Sequence, residues 1–283
     1  MRKLPLLCLL ALALASVPAH GYPPVYLDKA DSTPDLTQTD TRARLPARGM
    51  AYCAPVAVSN SLVWLAHQGY DDLIPPLDDR QKMTQSQLAS LLALEKYMNT
   101  SLKHGTGPAE LLLGLTKFLK DRGYPDASVA YEGWRSVPEG FSGSKSRPEL
   151  SWIKEGLVGD SAVWLNVGWY KLDAETDTYQ RQGGHWVTLV GYGQDEAGKP
   201  DSNVLLVHDP ATRRRPKKGE DNPRPPNEFT RLTPIRSGRL AGDISPLPVD
   251  AAGLYRVEGL TLHGDSELAI LDGAVVLRLA KKS

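Results

Sequence analysis

Apolar residues in the first half of the chain recur at the three- and four-residue spacing of helices. One such stretch has Pro55 in its first turn and reaches a stop at Gly69. It predicts a helix whose N-terminus lies at or just after Cys53. Thr84 can cap a second helix through SQLASLLALEKYM, and ELLLGLTKFLKDRG predicts a third. A short fourth helix is expected before the chain changes character.

The second half of the chain carries short apolar runs instead of helical repeats. Residues 162–167, 185–190 and 204–209 predict three strands, separated by the polar stretches KLDAETDTYQRQGG and GQDEAGKPDSN. Residues 213–250 are basic and rich in proline, so we expect mostly loop there. GLYRVEGLTL and AVVLRL predict late strands. Helices followed by antiparallel strands indicate an α+β fold, with N-terminal helices packed on a C-terminal antiparallel sheet.

The first residues, MRKLPLLCLLALALASVPAHG, have the pattern of a secretory signal peptide. Arg2 and Lys3 precede a short apolar run over 4–15, and Ala19 suits the residue before a cleavage point. The run is too short for a membrane span. We therefore expect residues 1–19 to be removed and the processed protein to be secreted or periplasmic. No later stretch is long and apolar enough to cross a bilayer.

The rest of the chain has the composition of one globular protein. Of its 283 residues, 41% are hydrophobic and 23% are charged, and the formal net charge is zero. Nothing in this balance points to nucleic acid or to an anionic membrane as a partner. Residues 20–46 combine Pro, Asp, Thr and Arg with little apolar periodicity, so we interpret them as an N-terminal arm or linker.

The chain has two cysteines, Cys8 and Cys53. Cys8 lies in the predicted signal peptide, so the processed protein keeps one thiol, which cannot form an internal disulfide. A lone thiol is either a reactive group or a small buried apolar residue, and the count alone does not decide between them. A thiol attacks as the thiolate, and a helix N-terminus favours negative charge. The predicted position of Cys53 provides that environment.

A nucleophilic thiol also needs a histidine base held by an acceptor. His185 follows Gly183-Gly184 and begins an apolar strand, and Asp209 ends the next strand. If the two strands pair as a hairpin, His185 and Asp209 fall on the same edge, while His208 faces the other side. The alternatives are an ordinary core histidine and an aspartate that caps a turn.

Several strings resemble the papain-like peptidases, in particular the bacteriocin-processing (double-glycine leader) peptidase-like group. YCAPVAVSNSLVWLA resembles the nucleophile helix of that group, and HGTGPAELLLGLTKFLKDRGY resembles its second-helix segment. GGHWVTLVGYG resembles the histidine strand, and VHDPA the Asp-Pro ending. The resemblance runs from Arg48 to Ala211. It implies a papain-like fold and a triad of Cys53, His185 and Asp209.

In this reading, residues 47–283 form one papain-like catalytic domain, with a core at 48–211 and a C-terminal extension of loop and strand. One departure concerns the oxyanion donor, because the family usually places Gln six residues before the Cys and this chain has Ala47 there. Gln38 is the nearest upstream candidate for that role.

The expected function is that of a cysteine peptidase that cleaves peptide or related amide bonds. Trp186 and Gly184, beside His185, are candidates to line the substrate groove. Two alternatives stay open: a peptide-binding module with little or no activity, and a thiol acyltransferase or isopeptide hydrolase with the same triad. The chain has no G-x-S-x-G, no H-E-x-x-H, no paired-Cys metal spacing and no phosphate-binding loop. We therefore expect no metal and no cofactor, and the expected partner is a peptide or protein substrate. The oligomeric state stays open.

Overall fold

The structure is a computed structural model that describes residues 23–141, 146–211, 228–242 and 245–280. The predicted signal peptide, residues 1–19, lies outside these residues, as does the basic run at 213–218. Within the described part there are four α-helices: α1 (Cys53–His67), α2 (Gln85–Leu92), α3 (Pro108–Asp121) and α4 (Leu150–Leu157). Of four short 3₁₀ turns, three precede α1, at Ala30–Ser32, Thr41–Ala43 and Pro46–Gly49, and one, at Asp71–Leu73, lies between α1 and α2.

The described residues also form ten strands. They are β1 (Leu27–Asp28), β2 (Ser128–Gly133), β3 (Ser161–Asp173), β4 (Thr178–Gln194), β5 (Pro200–His208), β6 (Glu228–Pro234), β7 (Arg239–Gly242), β8 (Ser245–Asp250), β9 (Tyr255–Glu258) and β10 (Leu268–Arg278).

Six of the strands close into an antiparallel barrel. Each strand in the series β3, β4, β5, β6, β9 and β10 pairs with the next, and β10 returns to pair with β3. The other strands add to this ring: β1 and β7 pair with β4, β8 pairs with β7, and β2 pairs with β10. A closed ring leaves none of its six strands with a free edge.

Alternation along the strands sends side chains to two separate cores. On β3, Val163, Leu165 and Val167 point into the barrel, where they meet residues of β4, β5 and β10 and of helix α4. Ala162 and Trp164 point outward, to a second core formed with α1, α2 and α3. The barrel wall therefore carries a helical layer on its outer face.

The expected fold class, an α+β papain-like fold with helices packed on an antiparallel sheet, is wrong. The chain is dominated by strands, six of them close into a barrel, and the four helices have only 8 to 15 residues. The cause is β10, which the sequence suggested as part of a late extension but which pairs with both β3 and β9. An alternating pattern predicts a strand without telling whether the sheet closes.

Two further expectations fail because polar residues lie in strands. The polar stretch KLDAETDTYQRQGG separates the predicted strands, but β3 and β4 continue through it as an antiparallel pair around a turn at 174–177. Within 213–250, the described part carries β6, β7 and β8 instead of mostly loop. Exposed edges of strands tolerate polar side chains, so hydrophobic patterning misses them. None of the helices in the described residues has the length and apolar character needed to cross a bilayer.

Candidate active site

Cys53 is the first residue of α1, as the sequence predicted. Its thiol is free and partly buried, and it packs against the core between the helices and the barrel. In any α-helix, the backbone N–H groups of the first turn have no acceptor within the helix. They therefore stabilise a negative charge that lies near the N-terminus. Within the described part, the structure gives the Cys53 N–H no backbone acceptor, so this group is available beside the sulfur.

Two hydrogen bonds fix α1 on the barrel wall. The carbonyl oxygen of Ala57, in the second turn of the helix, accepts a bond of 3.1 Å from Trp164 Nε1 on β3. It also accepts a bond of 2.8 Å from Thr188 Oγ1 on β4. All three residues are buried. Because β4 also carries His185, the same contacts set the distance between the start of the helix and the histidine.

A buried asparagine, Asn60, adds a third tie in the next turn of α1. Its Nδ2 donates to Thr188 Oγ1 at 3.3 Å, while its Oδ1 accepts from Leu36 N at 3.2 Å and from Gln85 Nε2 at 2.5 Å. One side chain thus joins the helix to β4, to the N-terminal arm and to α2. A buried polar group that is fully bonded favours one arrangement of its neighbours.

The hairpin of β4 and β5 brings His185 and Asp209 together. Thr188 pairs with His208 across the hairpin, and Nε2 of His185 lies 2.5 Å from Oδ1 of Asp209. Both side chains are buried. Asp209 Oδ1 also accepts from Ala211 N at 2.7 Å, which holds the carboxylate in place. His208 lies on the other face, where its Nδ1 is 3.2 Å from Pro34 O.

The Cys53 side chain acts on the same imidazole and helps to raise its pKa, so the ring lies near both the sulfur and the carboxylate. Burial lowers the pKa of His185, but the charge of Asp209 and the hydrogen-bonding effects of Asp209 and Cys53 on the ring outweigh burial and raise the pKa to about 10. The ring is therefore protonated at neutral pH. Trp169 stacks on it, with ring centroids 5.8 Å apart and planes at 22°, and excludes water from one face.

The turn before Cys53 has an unusual backbone. Ala47, Arg48 and Gly49 have φ values of 48°, 55° and 73°, a left-handed conformation that non-glycine residues rarely adopt. Gly49 is required here because a Cβ would collide with the backbone carbonyl of Gln38. Such conformations cluster at functional sites, where the surrounding structure holds them.

Gln38, the candidate oxyanion donor, holds this turn. Its Nε2 donates to Gly49 O at 2.9 Å and to Met50 O at 3.2 Å, and its own backbone N–H donates to Pro210 O at 2.8 Å. Both N–H groups of the side-chain amide are thus directed at carbonyls, and its buried Oε1 has no hydrogen-bond partner among the described residues. The oxyanion role of Gln38 stays a prediction, and this geometry offers no spare donor for it. Ala47 has no side-chain donor.

The two groove candidates differ in position. Trp186 is 2% exposed, packs in the core with the helices, and donates from Nε1 to Thr106 O at 2.9 Å. Its ring faces the core and not an open groove, so any contribution of Trp186 to substrate binding comes from holding the loop at 100–107 against β4. Gly184 is exposed to solvent beside His185.

Several residues near the site escaped the sequence analysis. Two of them are Trp169, which stacks on the His185 ring, and Asn166, whose Nδ2 donates to His185 O at 3.4 Å. Both lie on β3, directly beside β4, so only the strand register could have connected them with His185. The described residues contain no cluster of three or more His, Cys, Asp or Glu side chains that could hold a metal ion.

The site thus combines an imidazole that contacts a carboxylate with a thiol at the start of a helix, on the wall of a β-barrel. Comparisons with protein-family models and with curated proteins give no match.

The raised pKa of His185 predicts a loss of stability at high pH. Between the ordinary pKa of about 6.5 and the folded pKa of about 10, the folded protein holds a proton that the unfolded chain has released. The stabilisation by the ion pair is therefore complete below pH 6.5 and is lost as the pH rises towards 10. We expect the unfolding free energy to fall by at most ~1.4 kcal/mol per pH unit in that range. Urea unfolding of Cys53→Ala with and without His185→Gln measures this; a difference that does not change with pH would contradict it.

Proposed function

We propose that this protein is a thiol hydrolase that cleaves peptide or related amide bonds. The observation that carries the proposal is the His185 ring, whose Nε2 lies 2.5 Å from Oδ1 of Asp209 and whose pKa is raised by both Asp209 and Cys53. A nucleophile, a base within reach and a third group that orients the base are the parts that covalent acyl-transfer chemistry needs.

In the proposed reaction, the sulfur of Cys53 attacks the carbonyl carbon and the C=O electron pair moves to the oxygen. The protonated ring of His185 gives its proton to the leaving nitrogen, the C–N bond breaks, and a thioester remains on Cys53. His185 then takes a proton from water, whose oxygen attacks the thioester; the C–S bond breaks, the acid leaves, and the thiolate remains beside the protonated ring. Asp209 keeps the ring in one orientation throughout.

The oxyanion of the tetrahedral intermediate would be stabilised first by the Cys53 backbone N–H. A second donor is not provided by Ala47, and the amide of Gln38 is bonded to Gly49 and Met50. Removal of one oxyanion donor typically costs about 10²- to 10³-fold in rate. We therefore propose a slow hydrolase, or one in which the substrate itself rearranges the turn before Cys53.

A second candidate, a peptide-binding module with little or no activity, is favoured by this same shortage of donors. A thiol acyltransferase or isopeptide hydrolase would use the same three residues and differ in the acceptor of the acyl group. We further propose that the protein is exported, on the strength of residues 1–19, and that its partner is a peptide or protein.

Alkylation of Cys53 separates the hydrolase from the binding module. If His185 holds the thiolate as an ion pair, iodoacetamide should label the processed protein stoichiometrically at about pH 5.5, where ordinary thiols with a pKa of about 8.5 react slowly. His185→Ala should abolish labelling at this pH and leave labelling at pH 9 intact. Mass spectrometry measures both, and His67→Ala, on the exposed end of the same helix, is the control. A thiol that reacts only at alkaline pH would exclude the proposed ion pair.

A further inference from the structure

Two glycines, paired across strands, lie next to His185 on the outer face of the barrel. Gly184 on β4 pairs with Gly168 on β3. A Cβ on Gly184 would collide with the guanidinium of Arg181, and a Cβ on Gly168 would come within 2.6 Å of both carboxylate oxygens of Asp272. The missing side chains make room for a buried ion pair, Arg181 Nε to Asp272 Oδ2 at 2.8 Å, directly beside the proposed catalytic histidine.

Asp272 has donors on both of its oxygens. Tyr170 OH donates to Oδ1 at 2.5 Å and Trp134 Nε1 donates to the same oxygen at 2.9 Å, while Arg181 occupies Oδ2. The side chain is fully buried. The Asp272 carboxylate therefore already accepts hydrogen bonds from one guanidinium and from two neutral donors.

A second guanidinium, that of Arg135, lies beside this ion pair. Burial, and then the charge of Arg181, lower the pKa of Arg135, and the more distant effect of Asp272 offsets this only in part. Its Nη1 makes one long hydrogen bond, 3.5 Å to Asn166 Oδ1, and its Nε is buried without a partner among the described residues. A buried cationic donor without an acceptor is costly. Among the described contacts, the site thus holds two guanidinium groups around the Asp272 carboxylate, and one donor, Arg135 Nε, lacks an acceptor.

Asn166 connects this cationic cluster, Arg135 and Arg181 with Asp272, to the proposed active site. Its Oδ1 accepts from Arg135 and its Nδ2 donates to the backbone carbonyl of His185. Gly184, itself exposed, lies between His185 and Arg181, and the Arg181 guanidinium occupies the space where its Cβ would be. Adjacent Cα atoms are about 3.8 Å apart, so a chain whose scissile carbonyl reaches Cys53 passes the cluster within a few residues.

We propose that Arg135, supported by Arg181, binds a carboxylate of the substrate, so that the protein selects acidic peptides. A guanidinium binds a carboxylate through two parallel hydrogen bonds, and such charge-assisted bonds are strongest where water is excluded. The carboxylate is either an Asp or Glu side chain near the scissile bond or the C-terminal carboxylate of the peptide. This inference rests on the proposed hydrolase function for its link to catalysis, but the binding of the carboxylate can be measured separately.

The test compares matched peptides. In the first comparison, each quenched fluorescent peptide with Glu at one position is matched with the same peptide carrying Gln there, and every position is tested in turn. In the second comparison, a peptide with a free C-terminus is matched with the same peptide with an amidated C-terminus. We expect kcat/KM to favour the acidic member of one pair by about tenfold or more. Arg135→Gln should bring that ratio close to one, Arg135→Lys should reduce it partly, and Arg236→Gln, at an exposed arginine, should leave it unchanged. Iodoacetamide labelling of Cys53 should be the same in all three variants.

The outcomes separate the two proposals. If the protein prefers Glu over Gln peptides, the carboxylate site binds acidic side chains. If it prefers a free over an amidated C-terminus, the site binds the end of the peptide chain. Cleavage without preference in either pair overturns the carboxylate site and leaves the hydrolase standing. If the wild-type protein neither reacts with iodoacetamide at pH 5.5 nor cleaves any peptide, the hydrolase fails. Fluorescence anisotropy of the same peptides on Cys53→Ala then decides the carboxylate site, which is overturned if acidic and neutral peptides bind equally.

Discussion

Cys53→Ser should lower peptide hydrolysis by at least ~10⁴-fold, since removal of one member of such a triad commonly costs this much or more. A serine hydroxyl gives up its proton far less readily than a thiol, and the protonated His185 ring cannot remove it. The side chain changes by one atom at the first residue of a buried helix, so the fold should persist. Initial rates on the quenched peptides, with circular dichroism and thermal melts on the same samples, measure the effect.

His67→Gln is the matched control for this variant, because His67 ends the same helix and is exposed. It should keep full activity. Hydrolysis by Cys53→Ser at a rate comparable with the wild-type rate would mean that the thiol takes no part in the reaction, and the mechanism proposed for Cys53 would have to be abandoned.

The elements around the site could be predicted from the sequence because local signals mark them. Pro55 and Gly69 bracket α1, and the side chain of Thr84 caps α2 together with Gln87. The short apolar runs that begin at His185 and end at Asp209 lie largely within β4 and β5, and a two-strand hairpin is the simplest way to connect them. Each of these inferences needs only neighbours in the sequence.

Barrel closure could not be predicted in this way. It depends on the pairing of β10 with β3, where Gly273 lies opposite Asn166, more than a hundred residues earlier in the chain. No local pattern specifies such a contact, and a strand buried on both faces has the same apolar sequence in an open or a closed sheet. The cationic cluster was missed for a similar reason, because Arg135, Arg181 and Asp272 come from three separate segments.

The N-terminal arm illustrates a different limit. Its residues lack apolar periodicity, yet in the described part Leu27 pairs with Tyr192 on β4, and Lys29 Nζ lies 4.0 Å from the centre of the Trp64 ring. Leu36 N bonds to Asn60, and Gln38 reaches the turn before Cys53. The arm is held by backbone hydrogen bonds and single polar contacts, and these leave no periodic trace in a sequence.

The largest effect on stability is expected for Asp272→Asn, on the order of 3–5 kcal/mol in unfolding free energy. Asp272 occupies a β-bulge of β10, between Leu271 and Gly273, where the barrel closes against β3. The asparagine oxygen can still accept from Tyr170 and Trp134, but its NH₂ group would face Arg181 Nε, donor against donor. The guanidinium, only 6% exposed, would then be buried without its counter-charge. Urea unfolding measures the loss.

Asp121→Asn is the control that separates the effect of burial from the effect of losing an ion pair. Asp121 pairs with Lys96 at 2.8 Å and with Lys117 at 3.1 Å on the surface of α3, so it loses two ion pairs where Asp272 loses one. Solvent screens exposed charges, and such pairs contribute little. The single buried pair should therefore matter far more than the two exposed ones, and Arg181→Met combined with Asp272→Asn should recover part of the loss because the Arg181 guanidinium is no longer buried against an amide. Equal losses at the two aspartates would mean that the ion pair at the barrel seam is hydrated, and that Arg135 beside it needs no anion from a substrate.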